Sequence, residues 1–223
     1  MLTPAELARV SARTVGHYDA QADSFWEGTR THDVSQNINA LLAAIEVPGP
    51  LEILDLGCGP GRDLVALQAA GHRPTGLDGA ARFCTMARRL SGCPVWHQDM
   101  LDVRLPEESF DGIFANASLF HVPSQILPAL LSRLFGALRP GGVLFSSVPR
   151  GPSIEGWQGE RYGTYLELPT WQSMKEAAGF VYVDHYYRPP GRPRAEQPWL
   201  ASTWRRPSGQ SSDEGGGVGL DRG

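Results

Sequence analysis

The 223-residue sequence has no excess of positive charge, few cysteines and no long apolar run. Its formal net charge of −4 at pH 7 gives no general attraction to nucleic acid or to an anionic membrane, which favours small substrates over polymers. Its three cysteines lack C-x-x-C spacing, so neither a disulfide framework nor a zinc site is expected, and a reducing cytoplasm is the simplest location. No segment approaches the length of a membrane span, and the N-terminus shows no targeting signal.

The most informative segment is a short apolar strand that leads into three glycines at alternate positions. After Asp55 come Gly57, Gly59 and Gly61, and a helical pattern begins at Arg62. Glycines allow a tight turn and the close approach of a ligand, and the helix that follows offers unpaired N–H groups. The third glycine falls one position too early for a dinucleotide fingerprint, and the Gly-Lys-Ser/Thr of a phosphate-binding P-loop is absent. The spacing therefore predicts a nucleoside-binding βα turn.

Alternating strand and helix patterns predict an α/β fold with a doubly wound, mostly parallel sheet. A single domain is expected over residues 1–206, with residues 1–48 as a helical lid segment. Residues 207–223 have too little apolar surface to order themselves and are predicted to form a disordered tail. We predict strands at 53–56, 74–77, 95–97, 110–115, 143–148, 181–187 and 199–204, and helices at 4–15, 35–45, 62–70, 80–90, 125–138 and 170–178.

The pattern Asp55-x-Gly57-x-Gly59-x-Gly61 resembles motif I of the class I methyltransferases that depend on S-adenosylmethionine (SAM). In that family the acidic residue and the glycine turn hold the methionine part of the cofactor. The resemblance implies a Rossmann-like, seven-stranded sheet whose last strand is antiparallel. Methyl transfer is one in-line displacement that needs positioning and the exclusion of water, so no metal and no catalytic triad is expected.

Polar residues at three later strand ends fit the same cofactor. Asp78 is predicted to bind the ribose hydroxyls, and its alternative role is to cap the helix that starts at Ala80. Asp99 and Met100 are expected to meet the adenine, although Asp99 could instead be a solvated loop residue. Asn116 ends the fourth strand and would lie beside the methyl group.

A more specific resemblance covers residues 18–204. The segments His-Tyr-Asp-x-Gln-Ala, Phe-Trp-Glu-Gly-Thr-Arg, Asp-Val-Ser-Gln-Asn, Phe-Ala-Asn-Ala-Ser-Leu-Phe-His-Val-Pro, Glu-Arg-Tyr-Gly and His-Tyr-Tyr-Arg-Pro-Pro-Gly are similar to those of the mercaptohistidine methyltransferases of ovothiol biosynthesis. The resemblance implies methylation of the π nitrogen of 5-thiohistidine, giving ovothiol A and S-adenosylhomocysteine, with a separate sulfoxide synthase supplying the substrate. The alternatives are a methyltransferase of another small molecule and a SAM-binding regulatory module without catalysis.

Two segments outside the cofactor motifs are candidates for the substrate site. Residues 17–37 are polar and aromatic and could form a lid, and residues 149–165 are predicted to be a long loop; ordinary surface covering is the alternative for both. Asn116 and His121 are the candidate catalytic residues, and His121 could instead hold its loop in place. Arg188 is expected at the surface or at a sheet end. The other candidates are Arg30, Arg150 and Arg161 for a carboxylate, Glu160, Tyr162 and Tyr165 for an ammonium group, and Tyr18, Trp26 and Asn37 as further substrate contacts.

Overall fold

The computed structural model describes residues 1–209, which form seven α-helices and nine β-strands. Residues 210–223, most of the predicted tail, lie outside the described residues. The helices are α1 (Pro4–Ala20), α2 (Ala22–Thr29), α3 (Ser35–Ala44), α4 (Arg62–Ala69), α5 (Ala81–Ser91), α6 (Leu127–Ala137) and α7 (Leu168–Ala177). The strands are β1 (Glu52–Leu56), β2 (Arg73–Asp78), β3 (Val95–His97), β4 (Phe110–Asn116), β5 (Leu138–Pro149), β6 (Ile154–Gln158), β7 (Arg161–Tyr165), β8 (Val181–Arg188) and β9 (Trp199–Arg205).

Seven of these strands form one sheet in the order β3-β2-β1-β4-β5-β9-β8. The pairs from β3 to β5 are parallel, and β9 runs antiparallel to both of its neighbours. The predicted Rossmann-like sheet with an antiparallel last strand is therefore confirmed. The order reverses beside β1, which creates the crevice in which open α/β sheets bind ligands.

Alternate residues of the central strands pack against helices on opposite faces of the sheet. Leu54 and Ile113 contact the core of α6 and α7, whereas Ile53 and Phe114 contact the core of α3 and α4. Burial on both faces explains why these strands are apolar along their length, as in other parallel sheets. Within residues 1–209 no helix is long and apolar enough to cross a membrane.

The N-terminal segment is more helical than predicted. The expected capping box forms: Glu6 N donates to Thr3 Oγ1 over 3.3 Å, and Thr3 N donates to Glu6 Oε2 over 2.7 Å. The helix then continues to Ala20 rather than ending near residue 15, and α2 follows within the polar segment in which we predicted no element.

The prediction of a structureless loop at residues 149–165 is wrong. Strands β6 and β7 form an antiparallel hairpin, joined by a two-residue turn in which Gly159 has a φ of +61°. A two-residue Gly-x turn between extended segments is a recognised hairpin signal, which the glycine-rich composition of the segment obscured. The hairpin is attached to α1, because Arg13 forms an ion pair with Glu160 over 2.7 Å and its guanidinium lies 4.4 Å from the centre of the Trp157 ring.

Candidate active site

A cavity of about 1060 Å³ lies at the carboxyl ends of the parallel strands. The segments that follow β1, β2, β3 and β4 form its floor, and α1 and α2 cover it. Residues of the β6–β7 hairpin and of the segment after β8 close its remaining side. The cavity thus joins the four predicted cofactor segments to both predicted substrate segments.

The glycines of the first turn serve different purposes. A Cβ on Gly57 would lie 2.4 Å from the Cβ of Ser118, and one on Gly61 would lie 2.7 Å from the Cα of Ala87, so packing excludes side chains at both. A Cβ on Gly59 would meet only Phe25, at 3.8 Å, which leaves this glycine open to a ligand. Gly57 and Gly59 line the cavity, whereas Gly61 lies behind it and allows α4 and α5 to approach.

Asp78 lies on the cavity wall with both carboxylate oxygens oriented by backbone N–H groups. Oδ2 accepts a hydrogen bond from Gly59 N over 2.9 Å, and Oδ1 accepts one from Ala80 N over 2.8 Å. Each oxygen keeps a second lone pair, which suits the two adjacent hydroxyls of a ribose. Ala80 itself is the N-cap of α5, so the alternative role of Asp78 as the cap is not what the structure shows. Burial raises the pKa of Asp78, and the backbone N–H groups act in the opposite direction.

Asp99 and Met100 also line the cavity. Asp99 Oδ1 accepts a hydrogen bond from Leu101 N over 2.9 Å, and Oδ2 accepts one from the Ser11 hydroxyl of α1. The exposed Asp99 therefore links the end of β3 to the helix that covers the cavity.

Asp55, the acidic residue of the glycine motif, is buried off the cavity wall. It is 1% exposed, and burial together with nearby Asp63 raises its pKa well above the usual value. The carboxylate that lines the cavity in this region is Asp63, in the first turn of α4, which forms an ion pair with Arg62 over 2.6 Å. The sequence analysis missed Asp63, although an acidic residue in the first turn of a helix is a favourable and visible signal.

Tyr18 and His121 meet on the cavity wall although they lie far apart in the sequence. The Tyr18 hydroxyl is 2.7 Å from His121 Nε2, and His121 Nδ1 is 2.7 Å from the carbonyl oxygen of Tyr162. A carbonyl only accepts, so Nδ1 carries the proton and Nε2 accepts from Tyr18. Burial lowers the pKa of His121 to about 4, so the ring is neutral at physiological pH. Arg161 Nη1 donates to the Tyr18 hydroxyl over 3.3 Å.

The other predicted substrate residues divide between the cavity and its surroundings. Trp26, Asn116, Arg161 and Tyr165 line it, and so does Arg188, which we expected at the surface or at a sheet end. Among the described residues, the wall does not include Arg30, Asn37, Arg150, Glu160 or Tyr162. Three of them pair with other charged residues: Arg30 with Glu27 over 3.0 Å, Arg150 with Glu167 over 3.8 Å, and Glu160 with Arg13. Asn37 is buried behind Asn116, and the ring of Tyr162 packs on Trp157.

Part of the chain is similar to known methyltransferases. Residues 53–142 match the family model described as a methyltransferase domain. The trans-aconitate 2-methyltransferase of Paracidovorax citrulli is 39% identical over 113 residues, which is 49% of this chain and 43% of that protein. The corresponding protein of Acidovorax sp. strain JS42 is 36% identical over 141 residues, 62% of this chain and 48% of that protein. The chain thus spans about half the length of the curated relatives that it matches.

Solved structures extend the likeness to nearly the whole chain. The Burkholderia thailandensis 1,6-didemethyltoxoflavin-N1-methyltransferase, with 1,6-didemethyltoxoflavin and S-adenosylhomocysteine bound, has a TM-score of 0.73 and 25% identity, covering 93% of this chain and 92% of that one. The [4+2]-cyclase SpnF has a TM-score of 0.70 at 17% identity, covering 89% and 97%. Residues 53–142 thus match a methyltransferase domain, and the described fold is the one found in SAM-dependent methyltransferases.

The role proposed for Asp78 can be tested by binding alone. We expect Asp78→Asn to weaken S-adenosylhomocysteine binding by about 10-fold to 100-fold, because a hydrogen bond to a charged group contributes about 1.5–3 kcal/mol. Calorimetry on the purified chain measures this change. Asp102→Asn is the matched control, since Asp102 is exposed and lies next to the same cofactor segments without lining the cavity. Equal affinities for the Asp78 variant and the unmodified chain would contradict ribose binding.

Proposed function

We propose that this chain transfers a methyl group from SAM to a small molecule bound in the same cavity. The observation that carries the proposal is the size and composition of the cavity. At about 1060 Å³ it is slightly larger than the usual range for small-molecule sites, about 300–1,000 Å³, so it has room for a cofactor and a second small ligand.

The described residues fit the cofactor at three places. The Asp78 carboxylate has acceptor capacity for the ribose, Asp99 and Met100 would border the adenine, and the turn at Gly57 and Gly59 leaves space for the remainder. When bound, SAM supplies a methyl group on a sulfonium centre, which is electrophilic without further activation. The chain itself must therefore orient a nucleophile and keep water out.

The Tyr18–His121 pair would remove the proton from the nucleophile. The Tyr18 oxygen takes the proton of the substrate while the hydroxyl proton of Tyr18 passes to His121 Nε2, over the 2.7 Å between them. The Tyr162 carbonyl holds the imidazolium that results, because Nδ1 already donates to it. Arg161 stabilises negative charge that develops on the Tyr18 oxygen.

Two arginines on the cavity wall favour a substrate that carries a carboxylate. Arg161 and Arg188 line the cavity, and within residues 1–209 neither has a carboxylate within 4.0 Å. A guanidinium binds a carboxylate in a bidentate fork, so an anionic small molecule matches these side chains.

We infer that 5-thiohistidine and trans-aconitate are the two substrates to test first. Both carry carboxylates, and trans-aconitate is named in the curated relatives. The thiohistidine resemblance rests on motifs around Tyr18, His121 and Arg161, three residues that the cavity brings together. The relatives and solved structures described above act on other compounds, so a small-molecule methyltransferase is the wider proposal and 5-thiohistidine is one member of it.

Mass spectrometry of the purified chain with SAM tests the proposal. Separate reactions contain 5-thiohistidine, histidine, trans-aconitate or no substrate. Release of S-adenosylhomocysteine together with a product heavier by one methyl group, only when one compound is present, identifies both activity and substrate. If SAM binds but no compound in a wider panel of small carboxylates is methylated, the alternative of a SAM-binding regulatory module without catalysis is favoured.

The carboxylate site predicts a selective effect of Arg188→Gln. We expect the KM for the methylated substrate to rise about 10-fold or more, since a charge-assisted hydrogen bond is lost, while the affinity for S-adenosylhomocysteine stays the same. Arg194→Gln is the matched control, because Arg194 lies on the Tyr187 ring and does not line the cavity. Weaker cofactor binding with an unchanged KM would assign Arg188 to the cofactor instead.

A further inference from the structure

A chain of hydrogen bonds runs behind the cavity from the edge strand β8 to the start of α4. The Tyr186 hydroxyl donates to Asn37 Oδ1 over 2.8 Å, and Asn37 Nδ2 donates to Asn116 Oδ1 over 2.8 Å. Asn116 Nδ2 then donates to Asp63 Oδ2 over 3.2 Å, and Arg62 Nε donates to Asp63 Oδ1 over 2.6 Å. Asn37 is completely buried and Asp63 is 7% exposed. Of the five residues, Arg62, Asp63 and Asn116 line the cavity.

The carboxylate at one end determines the direction of the whole chain. Asp63, paired with Arg62, can only accept, so Asn116 must present its NH₂ group to Asp63 and its oxygen to Asn37. Asn37 must then present its NH₂ group to Asn116, which leaves its oxygen facing Tyr186. The Tyr186 hydroxyl must donate, and burial raises its pKa to about 12, so it keeps its proton. If the Asn116 amide were reversed, two acceptors would face each other at Asp63.

We propose that Asp63, Asn37 and Tyr186 are positioning residues that hold the amide of Asn116 in one orientation toward the reacting groups. The proposal rests on the methyltransferase function proposed above. In this orientation Asn116 keeps one N–H and one oxygen lone pair for the ligands in the cavity. A nucleophile that binds this amide therefore finds the N–H donor and the oxygen acceptor at fixed positions.

The mildest test removes the hydroxyl at the far end of the chain. We expect Tyr186→Phe to lower kcat about threefold to tenfold without changing the affinity for S-adenosylhomocysteine, because Asn37 loses the donor that holds it. Tyr182→Phe is the matched control on the same strand, since Tyr182 is exposed and its hydroxyl pairs with His185 rather than with Asn37. An unchanged kcat in Tyr186→Phe would overturn the role of Tyr186 and of the chain.

Reversing the direction of these hydrogen bonds distinguishes an effect on the orientation of Asn116 from an effect on the stability of the protein. Asn37→Asp places a second acceptor against Asn116 Oδ1, so we expect lower thermal stability and a kcat reduced at least tenfold. The double variant Asn37→Asp with Asp63→Asn lets Asn116 turn around, so that its NH₂ group faces the new carboxylate at position 37 and its oxygen faces the new amide at position 63. Tyr186 and Arg62 Nε still donate, and Arg62 Nη2 loses its acceptor. We expect the double variant to be more stable than Asn37→Asp alone but to regain no kcat, because the amide now presents the opposite order. Recovery of kcat in the double variant would overturn the proposal.

Hydrogen exchange of the side-chain amides gives a readout that does not need turnover. In ¹⁵N-labelled protein the amide protons of Asn37 and Asn116 should exchange slowly, and faster in Tyr186→Phe but not in Tyr182→Phe. Equal exchange rates in all three proteins would contradict the proposed chain of hydrogen bonds from Tyr186 to Asn116. If the unmodified protein releases no S-adenosylhomocysteine with any substrate, the proposed function fails, but the exchange measurement still decides whether the chain orients Asn116.

Discussion

Replacing Tyr18 by phenylalanine is expected to lower kcat about 10²-fold to 10⁴-fold, the usual contribution of a general acid or base. The change removes the oxygen between the nucleophile and His121 but keeps the ring, which packs edge-on against Phe25 and lies beside Phe83. Steady-state kinetics with the substrate that mass spectrometry identifies gives kcat, and calorimetry checks that S-adenosylhomocysteine still binds. Tyr165→Phe is the matched control, because Tyr165 lines the same cavity. A Tyr18 variant as active as the Tyr165 variant would exclude the tyrosine as the proton acceptor.

The pH dependence of kcat/KM provides a second test of the same pair. His121 accepts a proton only while its ring is neutral, and burial lowers its pKa to about 4. Activity should therefore persist as the pH falls from 8 to 5 and be lost near pH 4, well below the ordinary histidine value of about 6.5. We expect His121→Gln to lower kcat as Tyr18→Phe does and to abolish this acidic limb. An acidic limb near pH 6.5 would show that His121 is not the group that titrates.

Stability is expected to rise with pH because of Lys175, the single lysine of the sequence. It lies on α7 and is completely buried. Its Nζ donates to Ser146 Oγ over 2.6 Å and to Ser202 Oγ over 3.0 Å, and it lies 5.2 Å from the ring centres of Trp171 and Trp204. Within residues 1–209 no carboxylate lies within 4.0 Å of it. Burial lowers its pKa to about 7.

The sign of the effect follows from proton binding. In the unfolded chain a lysine has a pKa of about 10.4, so between pH 7 and pH 10 the unfolded state binds the proton that the folded state has lost. The free energy of unfolding then rises by about 1.4 kcal/mol for each pH unit, and below pH 7 the cost of burying the charge is constant.

Urea unfolding of paired variants isolates this contribution. We expect Lys175→Met to be more stable than the unmodified chain at pH 6, by on the order of 3–5 kcal/mol, and the difference to shrink by about 2–3 kcal/mol between pH 7 and pH 9. Using the difference between the two proteins removes the titration of the cysteines and tyrosines that they share. Lys175→Arg keeps the charge at every pH and should be the least stable of the three. A difference between wild type and Lys175→Met that does not change with pH would contradict the titration.

The cofactor part of the site was predictable because its residues follow consecutive strands. Asp78, Asp99 and Asn116 each stand just after an apolar strand, and the carboxyl ends of parallel strands meet at one edge of a sheet. Their convergence on one cavity with Gly57 and Gly59 follows from the topology alone. The topology did not determine which carboxylate near the glycine turn lines the cavity. Asp55 is buried within β1 and does not line the cavity, whereas Asp63 reaches it from the next helix.

The substrate part could not be predicted in the same way. The hairpin of β6 and β7 was hidden because its strands are short and its composition is that of a loop. Arg188 seemed peripheral from its place at the end of β8, yet it reaches the cavity beside Asp33, whose carbonyl oxygen accepts its hydrogen bond over 3.3 Å.

The sequence by itself determined the alternation of strands and helices, the glycine turn and the polar residues at the strand ends. These features depend on local periodicity and on backbone conformation, which a short segment contains in full. Only the tertiary structure decided that Tyr18 meets His121, 103 positions away, and that Asn37 stands behind Asn116, 79 positions away. Such contacts depend on how helices pack on the sheet and on which way each side chain points, and no local pattern specifies either.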